Sequence, residues 1–269
     1  MGHHQRSCDA KREGVSKARR MAAEILKTIK LTKKFGGLTA TNSIDFSIKE
    51  GARHSIIGPN GAGKSTFFKI IIGELRPSSG RVIFLNQDIT GLPQTAISRL
   101  GIAVAYQIPS VFHQLTVFEN VRVAAQSRKT TFNFWSRVRS HKEFIDQSFH
   151  VLESIGLSDL KDRKAANLSH GDRKRLEIGI ALATQPKLLL LDEPTAGLSP
   201  TETRYIIELI KQISQDLTII LVEHKMKVVM EFSDTITVLY YGGILAQGTP
   251  DEIRNNEEVR RVYLGGVKV

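Results

Sequence analysis

The sequence predicts an α/β fold organised around a parallel sheet, and three observations carry that prediction. Leu188 to Leu191 and Thr218 to Val222 are continuous apolar runs, the pattern of strands covered on both faces. A third run, Arg53 to Ile57, ends at Gly58 and leads through a glycine-rich turn into a helical stretch from Lys64 to Gly73. Strand and helix patterns then alternate along the chain, as they do in an α/β core.

Taken in order, residues 25–34 and 42–48 alternate apolar and polar positions, which predicts antiparallel edge strands. Val82 to Leu85 and Ile102 to Tyr106 read as further strands. Residues 116–127 and 141–155 have helical spacing, and Gly156 closes the second stretch. A long helix is expected from about Asp172 to Ala183, stopping before Pro186. Ser199-Pro200-Thr201-Glu202 puts Ser at N-cap, Pro at N1 and Glu at N3, a strong helix start, and Thr249-Pro250-Asp251-Glu252 repeats the device. Ile236 to Tyr240 and Ile244 to Gln247, joined at Gly242-Gly243, predict a hairpin. There is no internal repeat and no low-complexity segment.

At 41% hydrophobic and 24% charged residues, global disorder is excluded. The single cysteine, Cys8, cannot form an intramolecular disulfide, which fits a reducing compartment. The apolar runs are too short to span a bilayer, and the first twenty residues lack the apolar region of a secretory signal. The net charge of +11 is unevenly placed: residues 1–35 hold 10 Lys/Arg against 3 Asp/Glu, and the remainder holds 28 against 24. The basic segment is read as an extension over residues 1–21, with Met21 an alternative start. Such an arm can touch anionic lipid or nucleic acid, or be simply a solvated tail. Residues 126–150 stand apart, mixing Arg128, Lys129, Arg137 and Arg139 with Phe132, Phe134 and Trp135. That composition suits a partner-docking surface or a stacking platform; a helical insertion with inward-packed aromatics is the alternative.

The chemistry concentrates in two motifs. Gly58-Pro59-Asn60-Gly61-Ala62-Gly63-Lys64-Ser65-Thr66 matches G-x-x-x-x-G-K-[ST], the P-loop, and sits after an apolar strand and before a helix. Its glycines let backbone N–H groups converge on phosphate oxygens at a helix N-terminus. Lys64 can bridge the β- and γ-phosphates of ATP and the Ser65 hydroxyl can ligate Mg²⁺. Leu188-Leu189-Leu190-Leu191-Asp192-Glu193 is a Walker B pattern, a buried strand delivering carboxylates at its C-terminal edge. Asp192 would hold Mg²⁺, and Glu193 is placed to act as general base on a water.

With Leu168-Ser169-His170-Gly171-Asp172 ahead of a basic helix, the chain resembles the ABC transporter ATPase family, whose signature is Leu-Ser-Gly-Gly-Gln. The resemblance implies that Ser169 and Gly171 bind the γ-phosphate of a nucleotide held by a second protomer, with His170 and Asp172 departing from the pattern. A His there requires negative φ, and an Asp near phosphate is electrostatically awkward. It further implies that Gln107 is the Q-loop residue contacting Mg²⁺ and the attacking water, that His224 is the switch histidine, and that Phe35 stacks on adenine, although a core role for Phe35 is open. Ser199 replaces the Asp that usually ends the D-loop. The resemblance covers about residues 22–266, with a helical subdomain near 108–180 and an antiparallel β subdomain at the N-terminus.

The finer likeness is to importer subunits for branched-chain amino acids and urea. It rests on Phe-Gly-Gly-Leu (35–38), the run 108–120, Ala-Gly-Leu-Ser-Pro-Thr-Glu (196–202) and the tail from Gly248 through Leu264-Gly265. This implies an ATPase on the cytoplasmic face of the membrane. Its expected partners are a second ABC ATPase protomer, permease subunits and an extracytoplasmic solute-binding protein, with no nucleic acid. A lipopolysaccharide-type transport ATPase, or an ABC ATPase acting on DNA or the ribosome, is the alternative.

Overall fold

The computed structural model describes residues 23–106, 111–127 and 139–264. The basic extension with Cys8, the aromatics Phe132, Phe134 and Trp135, Gln107 and the last five residues lie outside them.

Strands β1 (Glu24–Phe35) and β2 (Leu38–Lys49) pair antiparallel, as their alternation predicts. With β4 (Ser79–Phe84) and β5 (Gln87–Asp88) they form a sheet of order β2-β1-β4-β5. The second sheet contains β3 (Arg53–Ile57), β6 (Ile102–Ala105), β7 (Leu188–Asp192), β8 (Thr218–Val222), β9 (Thr235–Tyr240) and β10 (Gly243–Gly248). Its order is β10-β9-β3-β8-β7-β6, parallel from β9 to β6, with β10 hairpinned antiparallel onto β9. The continuous apolar strands behave as their composition requires. Leu189 and Leu191 of β7 face one core, whereas Leu188 and Leu190 face another, and all four are fully buried. Each such leucine contributes about 1.5–3 kcal/mol by its removal from water.

Helix α1 (Lys64–Ile71) follows β3, and α2 (Gln94–Leu100) precedes β6. Helices α3 (Val117–Ser127), α4 (Arg139–Ser154) and α5 (His170–Ala183) cluster beside one end of the parallel sheet. Helix α6 (Pro200–Ile213) and α7 (Met226–Phe232) flank β8, and α8 (Pro250–Asn255) and α9 (Glu257–Leu264) complete the chain order. Both expected capping boxes form: Ser199 with Glu202 on α6, and Thr249 with Glu252 on α8. Gly156, φ 65°, ends the α4 region as expected. Helix α1 stops two residues short of the predicted Gly73, whose φ of 76° leaves the helical range and brings the backbone against Leu92. Helix α5 begins at His170 instead of Asp172, because Ser169 is the N-cap and its Oγ accepts from Asp172 N at 3.1 Å.

A buried histidine gives β3 a pH signature. His54 is 2% exposed, shares a 2.8 Å hydrogen bond between Nε2 and Thr237 Oγ1, and packs edge-on to Phe46. Burial lowers its pKa from 6.5 to about 3, with Asp234 pulling weakly the other way. The folded pKa lies below the unfolded one, so the neutral ring carries no penalty above pH 6.5 and stability is lost as pH falls from 6.5 toward 3. Urea titrations across that window should show a shallower pH dependence in His54→Leu than in wild type. Identical slopes would show that His54 is not the group being protonated.

Candidate active site

The P-loop spans Gly58 to Thr66 between β3 and α1, and its shape is enforced by close packing. A Cβ on Gly58 would stand 2.3 Å from Leu239 O, and one on Gly63, φ 99°, would stand 2.3 Å from Ala40 O. Only glycine fits at either place. The β9–β10 turn braces the loop further, since Gly242 N donates to Ala62 O at 3.1 Å and Asn42 N donates to Gly242 O at 2.7 Å. Lys64 Nζ folds back onto the loop, donating to Gly58 O at 2.7 Å and Pro59 O at 3.1 Å. Burial pulls the Lys64 pKa down, while Glu193 and Asp192 oppose that shift.

A cleft of about 340 Å³ opens here, lined by Phe35, Leu38, Thr39, Ala40, residues 60–66 of the loop (Asn60, Gly61, Ala62, Gly63, Lys64, Ser65 and Thr66), Glu193 and His224. Gly58, Pro59 and Asp192 do not form part of its wall. Phe35 is 46% exposed at the end of β1, which removes the core reading for this ring.

Asp192 ends β7 and Glu193 follows in the left-handed region, φ 47°. Its backbone N–H still donates to Val222 O at 2.9 Å, so the main chain stays tied to β8 while the side chain turns aside. There the His224 Nε2–H donates to Glu193 Oε1 at 2.5 Å. Burial pushes the Asp192 carboxyl up, repulsion from Glu193 adds to it, and His224, Lys64 and Lys174 pull the other way.

Ser169 and Gly171 occupy a separate cleft of about 240 Å³, with Asp172, Arg175, Thr201, Glu202, Tyr205 and Ile206. His170 has the negative φ that the sequence required, and Asp172 is ion-paired with Arg175, whose guanidinium lies 4.8 Å from the Tyr205 ring. One chain thus keeps Lys64 and the signature residues in different clefts. Gln107 lies outside the described residues.

Sequence reasoning passed over Glu223. This carboxylate is buried, accepts from Thr195 N at 3.1 Å and Thr195 Oγ1 at 2.5 Å, and receives the backbone N–H of His224 at 3.0 Å and of Lys225 at 3.3 Å. It pins the loop after β7 to the loop after β8, and so sets where Glu193 meets His224. An acidic residue closing a wholly apolar strand was the available signal.

Among the described residues no group of three or more His, Cys, Asp or Glu could hold a metal by itself, and no helix is long and apolar enough to cross a membrane. The family model described as ABC transporter matches residues 41–196. The chain belongs to the ABC transporter family. A second model, described as branched-chain amino acid ATP-binding cassette transporter, matches residues 244–269. The cassette is 41% identical over 253 residues to the high-affinity branched-chain amino acid transport ATP-binding protein LivG of Escherichia coli (strain K12), covering 91% of this chain and 99% of that protein. Among solved structures, an ATP-binding cassette of an ABC transporter in its ADP conformation superposes with a TM-score of 0.81 at 32% identity, covering 91% and 100% of the two chains. A dimeric cassette in a post-hydrolysis state bound to ADP and Pi gives 0.71 at 27% identity, covering 84% and 98%.

The charge crowding around Asp192 makes a prediction for this ABC cassette. Its folded pKa is raised, so keeping the carboxylate ionised costs stability above that pKa, and the cost fades as pH falls through it. Without nucleotide or divalent metal at pH 7.5, Asp192→Asn should raise the melting temperature, at roughly 2–4 °C per kcal/mol relieved. The gain should shrink as the pH is lowered into the carboxylate range. A lowered melting temperature at pH 7.5 would contradict this account of Asp192.

Proposed function

We propose that this chain is the ATP-hydrolysing subunit of an importer for branched-chain amino acids. The observation that carries the reading is the His224–Glu193 hydrogen bond at the mouth of a cleft walled by the P-loop. A carboxylate held by an imidazole beside a phosphate cradle suits a general base that activates water.

In this reading the adenine stacks on Phe35, and the backbone N–H groups of loop residues 58–66, in which Pro59 has none to give, receive the phosphates. Lys64 transfers its donors from the loop carbonyls to phosphate oxygens. The Ser65 hydroxyl and the Asp192 carboxylate, with Gln107, are hard oxygen donors suited to Mg²⁺, and the repulsion between Asp192 and Glu193 is charge that a cation relieves. Bound Mg²⁺ would offset charge on the phosphates. Glu193 takes the proton of the attacking water, and His224 orients Glu193 and faces the γ-phosphate.

Ser169 and Gly171 sit apart from Lys64, which supports a site completed by a second protomer in head-to-tail pairing; the related dimeric cassette is in keeping with that arrangement. We further assign residues 22–266 to one ATPase domain with its helical subdomain near 108–180. The subunit works peripherally at the cytoplasmic face of the membrane, against permease subunits served by an extracytoplasmic solute-binding protein. Similarity to a branched-chain amino acid transport protein, and the second family match at 244–269, support the solute class.

Glu193→Gln should lower steady-state hydrolysis by about 10²–10⁴-fold, the usual range for a general base, while ATP binding is retained and a nucleotide-bound dimer accumulates. Hydrolysis near the wild-type rate would remove Glu193 from this role. Affinity capture of the full complex from membranes should recover permease subunits and a solute-binding protein whose ligand is a branched-chain amino acid. Recovery of lipid-export components, ribosomes or DNA-repair proteins would overturn the importer reading.

A further inference from the structure

Helix α5 buries two charges that none of the motifs explains. The side chains of Lys174 and Glu177 are 3% and 5% exposed, and Lys174 Nζ lies 3.2 Å from Glu177 Oε2. Lys174 Nζ also donates to the main-chain carbonyl of Tyr106 at 3.2 Å. Two charges withdrawn from water lose more hydration than their attraction returns unless the geometry is tight, and an apolar pair of similar volume commonly packs as well. Packing alone therefore does not call for a lysine and a glutamate here.

The location of the pair suggests what does. Tyr106 directly follows β6, and in the sheet Ala105 of β6 pairs with Leu191 of β7, so Tyr106 stands beside Asp192 at the C-terminal edge. The Lys174 ammonium is also one of the groups whose field lowers the pKa of Asp192 against the effect of its burial. Along α5, Lys174 is five residues from the Ser169 N-cap, about one and a half turns. A single buried ammonium thus joins the helix that presents Ser169 and Gly171 to the end of β6, the neighbour of the strand that presents the Walker B carboxylates.

We propose that Lys174, held by Glu177, is a positioning residue for ATP hydrolysis: it locks the signature helix to the end of β6, directly beside β7, and so fixes Asp192 relative to that helix. The inference rests on the hydrolytic reading above. It predicts an effect on turnover instead of nucleotide affinity, because neither residue forms part of the wall of the P-loop cleft.

The test is steady-state hydrolysis of Mg-ATP by the full chain, with thermal melting measured on the same samples. The Lys174→Met/Glu177→Met double variant should keep the wild-type melting temperature within a few degrees and KM for ATP within about twofold, while kcat falls about tenfold. Lys174→Arg keeps the charge and the donors, and should retain at least half of the wild-type kcat. A double variant with wild-type kcat would overturn the proposal, since packing would then suffice. Should the methionine pair fail to fold, Lys174→Gln/Glu177→Gln, neutral and similar in size, gives the same readout: reduced kcat at unchanged KM supports the role, and unchanged kcat overturns it. Glu193→Gln in the same assay separates the two readings. Turnover that Glu193→Gln abolishes and the double variants leave intact overturns this inference alone, whereas no Glu193-dependent turnover in wild type overturns both.

Discussion

Two adjacent carboxylates at the end of one buried strand set the terms for everything around them. Strand β7 is covered on both faces, so its path has no freedom, and it delivers Asp192 and Glu193 side by side. Like charges that close repel, and the repulsion is answered from three directions: Lys64 on the P-loop, His224 after β8, and Lys174 on α5. Each comes from a different segment: Lys64 follows β3, His224 follows β8, and Lys174 lies on helix α5. The left-handed backbone of Glu193 belongs to the same arrangement. A non-glycine residue there stores strain of order 1–3 kcal/mol, and the Glu223 hydrogen bonds to Thr195 and His224 supply the fixed frame that holds it.

The P-loop is equally over-determined. Gly58 and Gly63 are wedged against the carbonyls of Leu239 and Ala40, from two segments far apart in sequence, and the β9–β10 turn clasps Ala62. A loop held this way keeps its amide geometry before any anion arrives, which lowers the ordering cost of binding. Lys64 meanwhile spends its donors on two carbonyls of the loop itself, a satisfied state that a phosphate can replace one bond at a time.

What the sequence disclosed and what it hid divide along a physical line. Strands β7 and β8 were legible because burial on two faces fills their interiors with apolar residues, and the capping boxes were legible because Ser or Thr, Pro and Glu at fixed offsets have one local solution. Helices α2, α7 and α9 were not, being seven or eight residues long, too short for a 3.6-residue period to emerge. Burial of charge was the deeper blind spot. Arg173-Lys174-Arg175 shows in the sequence only as the start of a basic helix, yet Lys174 is inside the protein, and Arg175 is pinned between Asp172 and Tyr205. Phe35 shows the converse: patterning left a core role open for this ring, and its exposure at the cleft removes that role.

The departures from the family signature can be argued on the same electrostatic ground. Asp172 is the third residue of α5, where a negative charge favours the helix dipole and strengthens the helix start. That same charge opposes a phosphate at Ser169 and Gly171. Arg175, one turn on, returns a positive charge to the spot, so the acid at the start of the helix is paired within the chain. His170 completes the exchange: in place of glycine it lies across Gly197, with its Nε2 3.4 Å from the Ala196 carbonyl, joining the signature helix to the loop that precedes α6. The altered residues therefore brace the signature from within the chain and leave Ser169 and Gly171 on the wall of their cleft.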